Sequence, residues 1–300
     1  MTQTAALESP TAEAADFLAR WGLTFNDLAL QVGPLADSET LLLVGSIAEG
    51  LANPLSDIDL MILGDGTLRQ GVLINEAEFE QSVRRLDGGE ELNVEYWRSD
   101  DVARIGDRLR EVVTVIQDPA RFVKLETFSE MELRFLHRMH TGIPLVNADN
   151  AERWRSQLGL GGLRDYLVLH WLTLHYTYRE DTIAQVQYGD SLTALTTLRM
   201  AMDALAAAAL ATVGETHFHP KWRPRLLERQ RDALGAEIVD PLVASLFPAL
   251  ASDAGRLARE ALGFADGVIQ MLIGRSMHLV PAMLELNKLI SFVGTFEGGR

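Results

Sequence analysis

Two aspartates two residues apart, Asp57-Ile58-Asp59, stand at the head of an apolar run that reads as a strand. On an extended chain alternate side chains leave the same face, and a rise of about 3.3 Å per residue puts their Cα atoms roughly 7 Å apart. That spacing lets two carboxylates share one divalent cation or bridge two. Gly45 and Ser46 lie at the exit of an earlier apolar run, Thr40 to Val44. There an absent side chain, backbone N–H groups and a hydroxyl can cradle phosphate oxygens. The chemistry these residues suit is phosphate binding beside an oxygen-ligated divalent metal.

The elements that must position them follow from the pattern. Ser9-Pro10 opens a first helix carrying Phe17, Leu18, Trp21 and Leu28 at helical spacing, ended by Gly33-Pro34. Thr40 to Val44 reads as a buried strand, and Ile58 to Leu63 as a second, stopped by Gly64-Asp65-Gly66. Gln81 to Leu86 and Glu91 to Trp97 flank Asp87-Gly88-Gly89 as a hairpin. Its second strand turns Leu92, Val94 and Tyr96 one way and Asn93, Glu95 and Trp97 the other. From Asp100 the period becomes helical: Val102, Ile105, Leu109, Val112 and Val113 form one stripe, and Leu133, Leu136 and Met139 another, ended by Gly142 and Pro144. Residues 151 to 186, 191 to 213, 221 to 235 and about 252 to 290 also read as helices, broken at Gly189-Asp190, Gly214 and Pro241. Pro144 and the polar run Asn147 to Asn150 place a domain boundary near 145 to 150.

Composition narrows the classes. The 300 residues hold 42 Asp plus Glu against 27 Lys plus Arg, a net charge of −15. Such a chain has no general attraction for a phosphate backbone, so nucleic acid is not an expected partner. The basic run Lys221, Arg223, Arg225, Arg229 and Arg231 is interspersed with Glu228 and Asp232 and reads as a solvated helix face. With no cysteine, disulfides, thiolate nucleophiles and thiolate metal sites are excluded. Residues 1 to 16 carry Glu8 and Glu13 and no long apolar stretch, and Ala204 to Val213 is about half the length that spans a bilayer. A cytoplasmic location with no membrane partner is expected.

Gly45-Ser46, ten intervening residues and Asp57-Ile58-Asp59 resemble the signature of the DNA polymerase β-type nucleotidyltransferase superfamily. The fuller pattern, Gly45-Ser46-Ile47-Ala48-Glu49-Gly50 followed by Ser56-Asp57-Ile58-Asp59-Leu60, is similar to its small bacterial members. These include the antibiotic nucleotidyltransferases that modify aminoglycosides and lincosamides. The resemblance implies an α+β fold: a mixed-sheet nucleotidyltransferase domain over 1–145, then an all-helical domain over 146–300 that contributes to acceptor and nucleotide binding. It implies a third carboxylate from a later strand beside the Asp-x-Asp strand, and Glu95 stands at the matching position. Asp57, Asp59 and Glu95 would then hold Mg²⁺, two ions, with Mn²⁺ as a substitute; Gly45, Ser46 and Ser56 would hold the nucleotide. The implied reaction moves a nucleoside monophosphate, most simply AMP from ATP, to a hydroxyl of a small molecule, with antibiotics among the candidates. Three such acids repel one another without a cation. Many relatives carry a basic residue where this chain has Glu49.

Other residues have two readings each. Lys221, after Pro220, is either a triphosphate contact or a surface lysine, and Arg199 either a phosphate contact or a helix-surface ion pair. Glu130, Glu132, Asp165, Glu180 and Asp190 are each candidates for the base that takes the acceptor proton, with nothing in the spacing to choose. His217 and His219 read as a loop pair, His170 and His175 as packed or surface side chains, and Gly159-Leu160-Gly161-Gly162 lacks the preceding strand of a phosphate loop. Two further function classes stay open: transfer to a protein or transfer RNA, and a module that binds nucleotide or partner without catalysis.

Overall fold

The structure, a computed structural model, describes residues 10–66, 72–75, 79–117, 127–246, 254–275 and 278. It comprises two compact units: one runs to Arg108 and resumes over Arg134–Leu160, and the other takes Leu109–Leu133 and the residues from Gly161 on.

The first unit is built on a six-stranded sheet. Its strands are β1 (Thr40–Val44), β2 (Ile58–Gly64), β3 (Val72–Asn75), β4 (Glu80–Arg85), β5 (Glu91–Arg98) and β6 (Ile143–Val146), in the order β3-β4-β5-β2-β1-β6. β2 and β5 are parallel and every other pair is antiparallel, so the sheet is mixed. One face is the core: Leu41 and Leu43, Ile58, Leu60 and Ile62, and Leu92, Val94 and Tyr96 are buried under Ala14, Leu18 and Leu28. Those three come from the helices α1 (Pro10–Ala19) and α2 (Phe25–Val32). The period of two then assigns Asp59, Met61, Asn93, Glu95 and Trp97 to the other face.

The expected first helix is two. Gly22 turns the chain at a φ of 69°. Thr24 then starts α2 with a capping box, its hydroxyl accepting from the Asp27 N–H while the Asp27 carboxylate accepts from the Thr24 N–H. The strands β3 and β6 lie where no strand was expected. β6 contains Pro144, which is tolerated because β6 is an edge strand paired with β1 alone. The helix before it, α5 (Glu130–Thr141), does end where Gly142 and Pro144 predict. After β6, α6 (Ala148–Leu158) closes at Gly159, a left-handed cap with φ 69°. That glycine splits the long helix expected over 151–186.

In the second unit the main pair is α7 (Leu163–Tyr188) and α8 (Ser191–Thr212), joined through Gly189. The helices α9 (Arg223–Arg229), α10 (Arg231–Leu234), α11 (Ala236–Leu246) and α12 (Ala254–Arg275) follow. The expected helix over 221–235 is thus broken at Gln230, and Pro241 sits inside α11 rather than ending it. Of the expected helix over 252–290, the part beyond Arg275 lies outside the described residues apart from His278. Among the described residues α8 is the helix long and apolar enough to cross a membrane. Its run Ala204–Ala211 is buried in this unit. α4 (Ser99–Gln117) buries Val102, Ile105, Leu109 and Val112, as its stripe predicts; the Val113 side chain lies outside the described residues.

Candidate active site

β1 delivers the chain at Val44, which pairs with Asp59 of β2. Gly45 follows with φ 71°, in the left-handed region that side chains disfavour, and opens α3, the four-residue helical turn Gly45–Ala48. A Cβ at Gly45 would lie 2.4 Å from Asp59 Oδ2. Glycine is therefore required twice, by conformation and by contact, and it leaves bare backbone against a carboxylate. Ser46 is half-buried beside it, and its carbonyl accepts from the Leu51 N–H at 2.8 Å. Ser56 closes the loop that brings in Asp57: its hydroxyl accepts from the Asn53 N–H at 2.9 Å, while Asn53 Oδ1 accepts from the Leu55 N–H at 2.8 Å.

The three acids expected from the sequence differ in depth. Asp57 is exposed just before β2, the Asp59 side chain is 21% exposed, and Glu95 is buried at 2%. In the parallel register Asp59 faces Asn93 and Met61 faces Glu95, so Glu95 stands on the same sheet face, one pleat further along. Burial pushes the Asp59 carboxyl above the usual range; Arg138 pulls it back, and Glu95 and Asp57 push it up again.

Sequence reading missed the cations. Arg134 and Arg138, one helical turn apart on α5, both reach the acids. Glu95 Oε1 accepts from Arg134 Nη2 at 2.8 Å, and Glu95 Oε2 lies 2.8 Å from Arg138 Nη1. Arg138 Nη2 extends to Asp59 Oδ2 at 3.4 Å. The Trp97 indole N–H also points at Glu95 Oε2, at 3.4 Å. Burial alone would lower the Arg138 pKa, but Glu95 and Asp59 outweigh it and hold the guanidinium charged. The expectation of mutually repelling acids is thus corrected: Glu95 and Asp59 are matched by two guanidinium groups. Beside them His137 Nε2 lies 3.0 Å from Glu49 Oε2, so Glu49 has its own buried partner. The available signal was Arg134-x-x-x-Arg138 threaded through the apolar stripe of α5, a spacing that puts both arginines on one helix face.

Asp57, with no cation partner among the described residues, and Asp59, laid against the Gly45 backbone, have the oxygen chemistry that suits Mg²⁺ or Mn²⁺. Glu95, the third expected metal ligand, has both oxygens against guanidinium groups.

The helical unit gathers several other candidates. A pocket of about 920 Å³ is lined by Glu130, His170, Trp171, Arg199, Phe218 and Lys221, among others. Lys221 Nζ lies 5.0 Å from the centroid of the Trp222 ring. Arg223 is buried, ion-paired to Asp203 at 3.3 Å and donating to the carbonyls of His217 and Phe218, so it shapes the pocket wall. His170 stacks on Tyr166, and burial pushes its pKa down to about 4. His175 is packed, its Nδ1 2.9 Å from the Ala201 carbonyl. His217 and His219 are turn formers whose Nδ1 atoms accept backbone N–H groups at 3.1 Å. Among the base candidates, Glu132 forms a capping box with Ser129, Asp190 caps α8, Asp165 pairs with His278, and Glu180 is exposed.

Residues 33–126 match the family model described as "Nucleotidyltransferase domain". That span includes Gly45, Ser46, Asp57, Asp59 and Glu95. No curated protein matches the chain. Among solved structures, a nucleotidyltransferase-like protein from Exiguobacterium sibiricum 255-15 is similar at 13% identity, over 81% of this chain and 71% of that one, with a TM-score of 0.45. Residues 33–126 thus carry a nucleotidyltransferase domain of the DNA polymerase β type, and by that domain the chain is a nucleotidyltransferase.

Proposed function

We propose that this enzyme transfers a nucleoside monophosphate, in the simplest case AMP from ATP, to a hydroxyl of a small molecule, and that it requires Mg²⁺ or Mn²⁺. The observation that carries the reading is the Gly45 turn, whose missing Cβ leaves room for Asp59 Oδ2, with Asp57 two residues earlier, just before β2. Asp57 and Asp59 would hold the metal, which when bound neutralises triphosphate charge and lowers the pKa of the attacking hydroxyl. The bare Gly45 backbone and Ser46 accommodate phosphate oxygens. The acceptor oxygen attacks the α-phosphorus, the bond from that phosphorus to the bridging oxygen breaks, pyrophosphate leaves and the hydroxyl proton is given up.

A small acceptor is favoured by the helical unit. Its pocket has the volume of a small-molecule site and is walled by Phe128, Trp171, Tyr178 and Phe218, with Lys221 and Arg199 available to anionic groups. An antibiotic with a ring system and a free hydroxyl fits that description.

The test is pyrophosphate release by the pure protein with Mg²⁺, each nucleoside triphosphate and a panel of hydroxylated small molecules, proteins and transfer RNA. Release that depends on a small acceptor and is lost in Asp57→Asn and Asp59→Asn supports the proposal. Release with protein or RNA alone, or equal activity in those variants, refutes it.

A further inference from the structure

Glu95 is turned to cations that the chain itself supplies. Its two oxygens meet Arg134 Nη2 and Arg138 Nη1 at 2.8 Å each, and Arg138 continues to Asp59 Oδ2 at 3.4 Å. A guanidinium that bridges Asp59 and Glu95 fills the place where an ion ligated by both would sit. The surroundings keep it there. A Cβ at Gly142 would lie 2.6 Å from the Arg138 carbonyl oxygen and 3.0 Å from Val44 Cγ1, so the end of α5 is seated directly on the strand that leads into Gly45. Arg155 donates to the Met139 carbonyl at 2.8 Å and also to that of Gly142, securing the same turn. On the other side, Arg134 lies over the Phe79 ring at 5.5 Å, Phe79 stacks on Trp97 at 5.1 Å, and Trp97 packs on Phe135 at 4.3 Å. Both the arginines and the acid they hold are therefore anchored by packing.

These residues fit one divalent ion on Asp57 and Asp59 and do not fit a second shared by Asp59 and Glu95. We propose that Arg138 is a built-in cation standing in the place of a second metal ion, so that the site takes a single divalent ion and Glu95 positions Arg138. A guanidinium suits this role because it stays charged at every working pH and offers planar donors to two carboxylates at once. The inference rests on the nucleotidyl-transfer reading, but its test separates the two.

The test counts Mn²⁺ bound by the full chain with one equivalent of α,β-methylene-ATP, using electron paramagnetic resonance to measure free Mn²⁺. The parent is expected to hold one ion per chain, at least tenfold more tightly than the free nucleotide does. Arg138→Lys, which keeps a cation, is expected to hold one as well. Arg138→Gln is expected to gain a second at concentrations where the parent holds one. Two ions in the parent would overturn the inference and leave nucleotidyl transfer standing. So would a count of one in Arg138→Gln whose circular dichroism shows it folded. If the parent binds Mn²⁺ no more tightly than free nucleotide, the metal-dependent reading itself falls. The parent's count is decisive even where Arg138→Gln does not fold.

Discussion

Replacing Glu95 by Gln keeps the shape of the side chain and removes its charge, and the sign of the stability change distinguishes two pictures of the site. Glu95 and Asp59 are balanced by Arg134 and Arg138, with the Glu95 side chain 3% and the Arg138 side chain 11% exposed. Glu95→Gln leaves one positive charge in excess there and turns an amide NH₂ toward one of the two guanidinium groups. At 2.8 Å and an effective dielectric constant near 20, each lost attraction is about 6 kcal/mol before desolvation is recovered. Measured losses on breaking one partner of a buried pair run to about 3–5 kcal/mol, and the Gln oxygen retains one hydrogen bond, so about 3 kcal/mol is expected. For a chain of this size that corresponds to a melting temperature roughly 6–12 °C lower. The assay is thermal unfolding followed by circular dichroism in chelator, for the parent, Glu95→Gln, Arg138→Gln and the double variant. The double variant should be less destabilised than the sum of the singles by more than about 1 kcal/mol, because the two groups share one contact. An unchanged or higher melting temperature in Glu95→Gln would refute this account and restore a cluster of mutually repelling acids.

Three further outcomes follow from single contacts. Gly45→Ala carries the strain of a side chain at φ 71°, about 1–2 kcal/mol, and must displace the Asp59 carboxylate; a melting temperature a few degrees lower and at least a tenfold loss of transfer are expected, and retention of both would show the close approach to be dispensable. His170 is held neutral by burial, with its pKa at about 4 against about 6.5 unfolded, so the unfolded chain binds more protons between those values. Its contribution is complete above pH 6.5 and falls by about 3 kcal/mol as the pH drops to 4; urea unfolding of parent and His170→Gln at pH 7 and 4.5 checks this, and parallel profiles would contradict it. Lys221→Ala should weaken nucleotide binding in calorimetry by about 1–3 kcal/mol with an unchanged melting temperature, whereas an unchanged Kd would leave Lys221 with its contact to Trp222 alone.

Much of the site was legible because its signals are local. The strand Thr40–Val44 is a continuous apolar run with polar flanks, and its bounds in the structure are those the pattern predicts. The alternation in Glu91–Arg98 separates Leu92, Val94 and Tyr96, which enter the core, from Glu95 and Trp97 on the far face. Gly45 announces itself as the residue between a strand and a small-residue loop, although only the fold shows why it must be glycine: the Asp59 carboxylate occupies the space of its Cβ. The elements that escaped notice carry weak local signals. β6 has four residues and a proline, and gains its strand character from pairing with β1 across about a hundred residues of chain. Gly22 and Gly159, read as ordinary helical positions, instead turn the backbone at positive φ.

Residue types and spacing along one strand were enough to mark Asp57 and Asp59 as candidate metal ligands and Gly45-Ser46 as the turn beside them, because a period of two and a missing side chain act over a few residues. The charge state of the site was not legible in that way. Arg134 and Arg138 lie some forty residues beyond Glu95 on a helix whose stripe reads as apolar packing, and nothing local in either segment specifies that they meet. Closing α5 over the sheet face brings them within 2.8 Å of Glu95 in a setting with little water to screen them. Electrostatic balance depends on distance and burial, both of which are properties of the packed chain, so the tertiary structure decided that Glu95 and Asp59 meet Arg134 and Arg138.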